Sequence, residues 1–118
     1  MLLIIDDHAD ICLALQRLAK HHKAYALTAH DAETAMEIMH AKPPKLVILD
    51  DMMPGTTGTE VLALMRADPA LASVPVVMYS AADRPERRRD AERLGALDWV
   101  RKDGDLARIE RYITRFVH

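Results

Sequence analysis

Three carboxylates, one hydroxyl and one ammonium stand where short apolar runs of this chain stop. Asp6 and Asp7 follow Leu2 to Ile5, Asp50 follows Leu46 to Leu49, Ser80 follows Val74 to Tyr79, and Lys102 follows Leu97 to Arg101. An apolar run without polar alternation reads as a strand buried on both faces of a parallel sheet. Each polar group then falls at a strand's carboxyl end, the edge at which open parallel sheets hold ligands. Three carboxylates gathered there repel one another, and keeping them ionised takes a cation. An all-oxygen cluster with few protein ligands suits Mg²⁺, which keeps waters and takes one or two carboxylates plus phosphate oxygens. Lys102 adds a point charge that meets a phosphoryl oxygen, and the Ser80 hydroxyl donates to another. Together they form a site for placing a phosphoryl group on Asp50, because positioning and charge neutralisation do most of the work in phosphoryl transfer.

The elements that must position these groups follow from the pattern between them. After the first strand, Ile11, Leu15 and Leu18 recur at helical spacing and predict a helix from Asp10 to His21. A weaker second strand covers Ala24 to Thr28. Asp31 is placed to cap a second helix, with Ala32, Ala35, Met36 and Met39 inward, and Pro43-Pro44 stops it. Pro54, Gly55 and Gly58 force a loop after Asp50. Thr59 to Ala67 reads as the third helix, Val74 to Tyr79 as the fourth strand, and Pro85 to Leu94 as a charged fourth helix closed by Gly95. Leu97 to Arg101 is the fifth strand. Asp103 or Asp105 is expected to cap a last helix whose stripe is Leu106, Ile109, Ile113 and Phe116. Five alternations with short connections require an α/β fold, a five-stranded parallel sheet with helices on both faces. In the flavodoxin-like order 2-1-3-4-5 the switch point lies between strands one and three, the two that carry the acids.

At 118 residues, half of them hydrophobic, the chain is expected to be one domain over residues 1–118. No apolar run approaches the roughly 20 residues a membrane span needs. No basic, signal-like region precedes the first apolar run, and Cys12 is the only cysteine, so a reducing, cytoplasmic setting is expected. The net charge of −2 hides an asymmetry: residues 1–83 carry 6 Lys/Arg against 11 Asp/Glu, and residues 84–118 carry 10 against 7. The basic excess reads as a solvated face, or more sharply as a docking face for an acidic partner. Basic residues beside aromatics are too few to indicate nucleic acid.

Over essentially its full length the chain resembles the receiver domain of two-component response regulators, a CheY-like, flavodoxin-like family. The resemblance rests on Ile-Ile-Asp6-Asp7, on Leu-Val-Ile-Leu-Asp50-Asp-Met-Met53-Pro54 with Gly58, on Val-Pro-Val-Val-Met-Tyr-Ser80-Ala81, and on Leu94-Gly95-Ala96-Leu-Asp98-Trp99-Val-Arg-Lys102. It implies that Asp50 is the phosphoacceptor, and that Asp6, Asp7, Asp50 and the Met52 backbone carbonyl hold Mg²⁺. It implies that Ser80 and Lys102 bind the phosphoryl group, and that Trp99 is the aromatic whose rotamer follows Ser80. The fourth helix, fifth strand and fifth helix would form the output face. The implied partners are a sensor histidine kinase or histidine phosphotransfer protein and an output domain or downstream protein. A homodimer through the last two helices is open, since Tyr112, Ile113, Phe116 and Val117 exceed one stripe.

The family usually has proline after this lysine, where Asp103 stands here. A cis bond before a non-proline residue costs about 3 kcal/mol, so a trans bond is expected and Lys102 is expected to reach the site less well. Met52 and Ala82 carry no side chain able to orient a water, which predicts slow self-dephosphorylation. Several residues also have plainer readings. Asp6 and Asp7 alone would make a turn and helix cap, and Ser80 reads as well as a cap as a ligand. Asp51 reads as a solvated loop acid, Arg84 to Arg93 as a solvated face that also serves partners, His21-His22 as a polar helix end, and Cys12 as a buried small residue. The first alternative function is a pseudo-receiver, a phosphorylation-independent interaction module favoured by Asp103. A Mg²⁺-dependent aspartyl phosphatase would need a second acid at position 52, where Met stands, so no enzyme activity is expected beyond self-catalysed phosphoryl transfer.

Overall fold

The computed structural model describes residues 1–117. In chain order the elements are β1 (Leu2–Ile5), α1 (Ala9–His21), β2 (Ala26–Ala29), α2 (Ala32–Ala41), β3 (Leu46–Leu49), α3 (Gly58–Ala67), β4 (Val76–Ser80), α4 (Pro85–Arg93), β5 (Asp98–Arg101) and α5 (Ala107–Phe116). All neighbouring strands pair in parallel, in the order β2-β1-β3-β4-β5.

The expected two-sided burial is present. Every residue of β1, β3 and β4 is buried. Alternate residues feed two separate cores. Leu3, Ile5, Val47, Leu49, Val76 and Met78 pack with residues of α2, α3 and α4, and Trp99 joins this layer. Leu2, Ile4, Leu46, Ile48, Val77 and Tyr79 pack with residues of α1 and α5. The sheet is therefore held from both sides, and its carboxyl edge is left to the polar groups.

Register places those groups together. Ile5 pairs with Leu49, and the Asp50 N–H donates to the Ile5 carbonyl at 2.8 Å. Asp6 and Asp50 therefore leave the sheet side by side. At the other end of the site the Lys102 N–H donates to the Ser80 carbonyl at 2.8 Å, so the ends of β4 and β5 stay in step. Gly58 closes the loop after Asp50. A Cβ at position 58 would lie 2.1 Å from the Asp50 carbonyl oxygen, a backbone atom that cannot swing away, and the Gly58 N–H donates to the Asp51 carbonyl at 3.1 Å. Only glycine lets α3 start this close to the strand.

Some boundaries differ from those expected, each for a local reason. The Ala24 N–H is spent on the Ala19 carbonyl at the end of α1, and β2 begins at Ala26. The Val74 N–H closes a turn onto Leu71 and Pro75 has no N–H to give, so β4 begins at Val76 and includes Ser80. The last helix has Leu106 at its N-cap position with no side-chain cap. Asp105 nevertheless accepts the Ala107 N–H at 2.9 Å, while Asp103 accepts the Asp105 N–H at 2.9 Å. The expected cap at Asp31 is present, accepting the Thr34 N–H at 2.7 Å.

Candidate functional site

At the carboxyl edge of β1, β3 and β5, Asp6 and Asp50 are almost fully buried and Asp7 is partly exposed. Lys102 reaches both buried acids. Its Nζ lies 2.6 Å from Asp6 Oδ2 and 3.3 Å from Asp50 Oδ1, and it also lies 5.6 Å from the centre of the Tyr79 ring. The expectation that Asp103 would weaken this reach is corrected: Asp103 turns its carboxylate into its own loop, and the bond before it is trans as expected, no peptide bond being cis among the described residues.

The two buried acids are held differently. Burial pushes the Asp6 carboxyl up, but hydrogen bonds from Lys102 and from the His8 N–H and ring outweigh it, and the carboxyl sits below its ordinary range. Burial pushes Asp50 up to about 6, and the Asp6 charge adds to this against the Met52 N–H and Lys102. Asp50 Oδ1 accepts the Met52 N–H at 3.1 Å and faces Lys102. Asp50 Oδ2 is buried with no hydrogen-bond partner. His8 Nδ1 stands 3.9 Å from it, too far for a hydrogen bond.

Asp6, Asp7, His8 and Asp50 each offer one ligand atom within 4.8 Å of the others. An orphaned buried carboxylate oxygen beside two further acids is a site short of positive charge, and these residues fit a hard divalent ion. An open cleft of about 450 Å³ runs past Asp7, His8, Met52 and Arg87 and gives access to it.

Ser80 and Trp99 lie together but one step from the acids. Ser80 is fully buried, and its Oγ accepts the Ala82 N–H at 3.3 Å. The Ala82 carbonyl accepts the Trp99 indole N–H at 3.4 Å. Ala82 thus joins the hydroxyl to the aromatic ring. Cys12 is buried as expected, and burial pushes its thiol up to about 11, far from a reactive thiolate.

Three residues of the site went unassigned or misread in the sequence. Asp51 is fully buried rather than solvated. It accepts from the Thr59 hydroxyl at 2.7 Å, from the Thr59 N–H at 3.3 Å, and from Arg87 Nη1 at 3.0 Å. Arg87 therefore leaves the solvated face of α4 and ties that helix to the residue beside Asp50. His8, directly after the two acids, adds a ring nitrogen to the nest. Its adjacency to Asp6-Asp7 was a usable signal. The Asp51–Arg87 pair, 36 residues apart, had none.

A family model described as response regulator receiver domain matches residues 2–114. Among curated proteins, the chain is 34% identical over 102 residues to a probable cyclic di-GMP phosphodiesterase of Vibrio cholerae, which covers 86% of this chain and 23% of that protein. It is 32% identical over 120 residues to the response regulator PleD of Caulobacter vibrioides, covering 98% and 26%. The chain thus spans about a quarter of the length of these two relatives. Among solved structures, a response regulator receiver protein from Pseudomonas putida matches with a TM-score of 0.91 at 27% identity, over 97% of this chain and 94% of that one. The chemotaxis protein CheY4 of Vibrio cholerae matches in fold with a TM-score of 0.88 at 22% identity, over 98% and 96%.

Two outcomes follow from the charges. A carboxyl raised from 3.8 to about 6 favours the fold when protonated, and that contribution is lost as pH rises through 6. Asp50→Asn should therefore be more stable than the wild type above pH 6 without divalent ions, by on the order of 1–3 kcal/mol. The gain should fade below about pH 4 and narrow when Mg²⁺ is added; urea unfolding across pH reads it. Separately, Arg87→Met should cost about 1–3 kcal/mol by leaving the Asp51 carboxylate buried without its cation. Adding Asp51→Asn should recover at least half of that loss in a double-mutant cycle, whereas simple additivity would mean the pair is not coupled.

Proposed function

Because the chain belongs to the response regulator receiver domain family, we propose that it is a phosphoacceptor module of a histidine–aspartate relay, with Asp50 as the acceptor. The observation that carries this reading is the unequal treatment of the two Asp50 oxygens. Oδ1 is held by the Met52 N–H and Lys102, and Oδ2 is left without a partner beside the acid nest. A carboxylate fixed at Oδ1 by the Met52 N–H and Lys102, with Oδ2 turned toward the acid nest, is held in place beside a cation site, as positioning for phosphoryl transfer requires.

In the proposed step an Asp50 oxygen attacks the phosphorus of a phosphohistidine on a sensor kinase or phosphotransfer protein. An O–P bond forms, the N–P bond breaks, and the released imidazole nitrogen takes up a proton. Asp7 and Asp50, with Asp6 and the Met52 carbonyl in support, would hold a divalent ion, which would supply charge neutralisation at the transferring oxygens. Lys102, already 3.3 Å from Asp50, is placed to meet one phosphoryl oxygen. Ser80 is placed to give its hydroxyl to another after leaving the Ala82 N–H. The Ala82 link then carries the change to Trp99. The added charge near Asp50 also acts on the Asp51–Arg87 tie and so on α4.

The output surface in this reading is α4, β5 and α5. A hollow of about 260 Å³ between α4 and β5 is lined by Arg88, Ala91, Leu97 and Trp99 among others, and it suits a downstream protein or an output domain. Asp98 is anchored there by Arg108 and by the Tyr112 hydroxyl at 2.8 Å. The reading assigns no enzymatic turnover of an external substrate, no nucleic-acid contact and a cytoplasmic setting. Among the described residues no helix is long and apolar enough to cross a membrane.

With Mg²⁺ and a small phosphodonor the chain should form an alkali-labile, acid-resistant adduct, absent in Asp50→Asn and detected by intact-mass measurement. The adduct should outlast a timescale of seconds, because neither Met52 nor Ala82 can orient a water. No adduct with either a phosphodonor or a beryllofluoride mimic would point instead to a phosphorylation-independent interaction module.

A further inference from the structure

Among the described residues His8 alone adds an imidazole nitrogen to the acid nest, and its placement is specific. It occupies the N-cap position of α1, where Ser, Thr, Asp or Asn would ordinarily cap, yet its side chain makes no cap hydrogen bond. Its backbone N–H is fastened to Asp6 Oδ1 at 2.9 Å. The ring then turns toward the acids. Nδ1 hydrogen-bonds Asp6 Oδ1 at 2.9 Å and lies 3.3 Å from Asp7 Oδ1 and 3.9 Å from Asp50 Oδ2.

Those separations match the edges of a coordination shell. Ligands bound at about 2.1 Å to an octahedral ion lie about 3.0 Å apart when adjacent and about 4.2 Å apart when opposite. The two shorter distances fit adjacent positions, and the longest approaches an opposite one. An independent observation points to the same place: Asp50 Oδ2 belongs to a side chain only 1% exposed and has no hydrogen-bond partner. Lys102 is already committed to Asp6 Oδ2 and Asp50 Oδ1. The ring is more than half exposed, so it can exchange its hydrogen bond to Asp6 for a bond to an ion that enters between them.

We propose that His8 is a ligand of the divalent ion in this nest, and that its imidazole shifts the site's preference from Mg²⁺ toward transition ions. This rests on the proposed function, since it takes the acid nest to be an ion site. The chemistry is that of donor matching: carboxylates and water suit Mg²⁺, and a nitrogen donor adds affinity for first-row transition ions that Mg²⁺ does not gain. His8 touches the ion and not the transferring group, so it sets which ion is held.

The test uses Mn²⁺ and Mg²⁺ on the untagged 118-residue chain and on His8→Phe, which keeps a ring and removes the nitrogen. Free Mn²⁺ counted by electron paramagnetic resonance gives its Kd, and displacement by Mg²⁺ gives the second. Pulsed measurements on bound Mn²⁺ read ¹⁴N coupling. The wild type should show nitrogen coupling that His8→Phe lacks. Mn²⁺ should bind about tenfold more weakly to the variant, with the Mg²⁺ Kd within about threefold or tighter. Equal weakening of both ions, or wild-type binding without nitrogen coupling, would overturn the role of His8 and leave the ion site standing. No binding of either ion by the wild type would overturn both.

Discussion

Two carboxylates taken out of water a few ångströms apart are a standing electrostatic debt, and most of this structure follows from how it is settled. Asp6 is satisfied by Lys102 and His8 and stays ionised. Asp50 receives what remains: one oxygen held, one orphaned, and a carboxyl pushed up to about 6 by burial. A folded protein tolerates such a group only when the surrounding packing over-determines it. Here that packing is the pair of cores that hold β1 and β3 from opposite sides.

The same constraint explains the less obvious parts of the edge. Gly58 lets α3 begin against the Asp50 carbonyl, which fixes the loop carrying Met52. Asp51, the next residue, is buried as well, and it is neutralised from α4 by Arg87 rather than from the sheet. Two consecutive acids therefore face two different cations on two different elements. Lys102 ties the site to β5, and Arg87 ties it to α4. In the proposed reading a charge added at Asp50 acts on both cations, which stand on elements of the proposed output face.

Much of this was legible in the residues themselves. β1 and β3 were expected at Leu2 to Ile5 and Leu46 to Leu49 and lie there, because two-sided burial leaves an unbroken apolar run with acids at its end. The partly buried edge strand β2 was placed two residues early at its start, where the signal is weak and the Ala24 N–H belongs to the helix turn. The two expected caps of α5, Asp103 and Asp105, both accept backbone N–H groups in this short loop, but the N-cap position itself falls one residue later, at Leu106. The meeting of Asp6 and Asp50 followed from the expected strand order, which sets β1 beside β3. Asp51 was misread because its burial depends on Arg87 and Thr59, which only tertiary packing brings near. The reach of Lys102 was underrated for a related reason: Asp103 looks like a competitor in sequence, and its side chain folds back into its own turn.

The central claim is that the acids at the ends of β1 and β3 share one divalent ion beside Asp50. A crystal of the chain soaked in Mn²⁺, with data collected at the manganese absorption edge, tests this directly. The account requires a single strong anomalous peak within bonding distance of carboxylate oxygens from both Asp7 and Asp50. A peak elsewhere on the surface, or none at an ion concentration that saturates binding in solution, would contradict it.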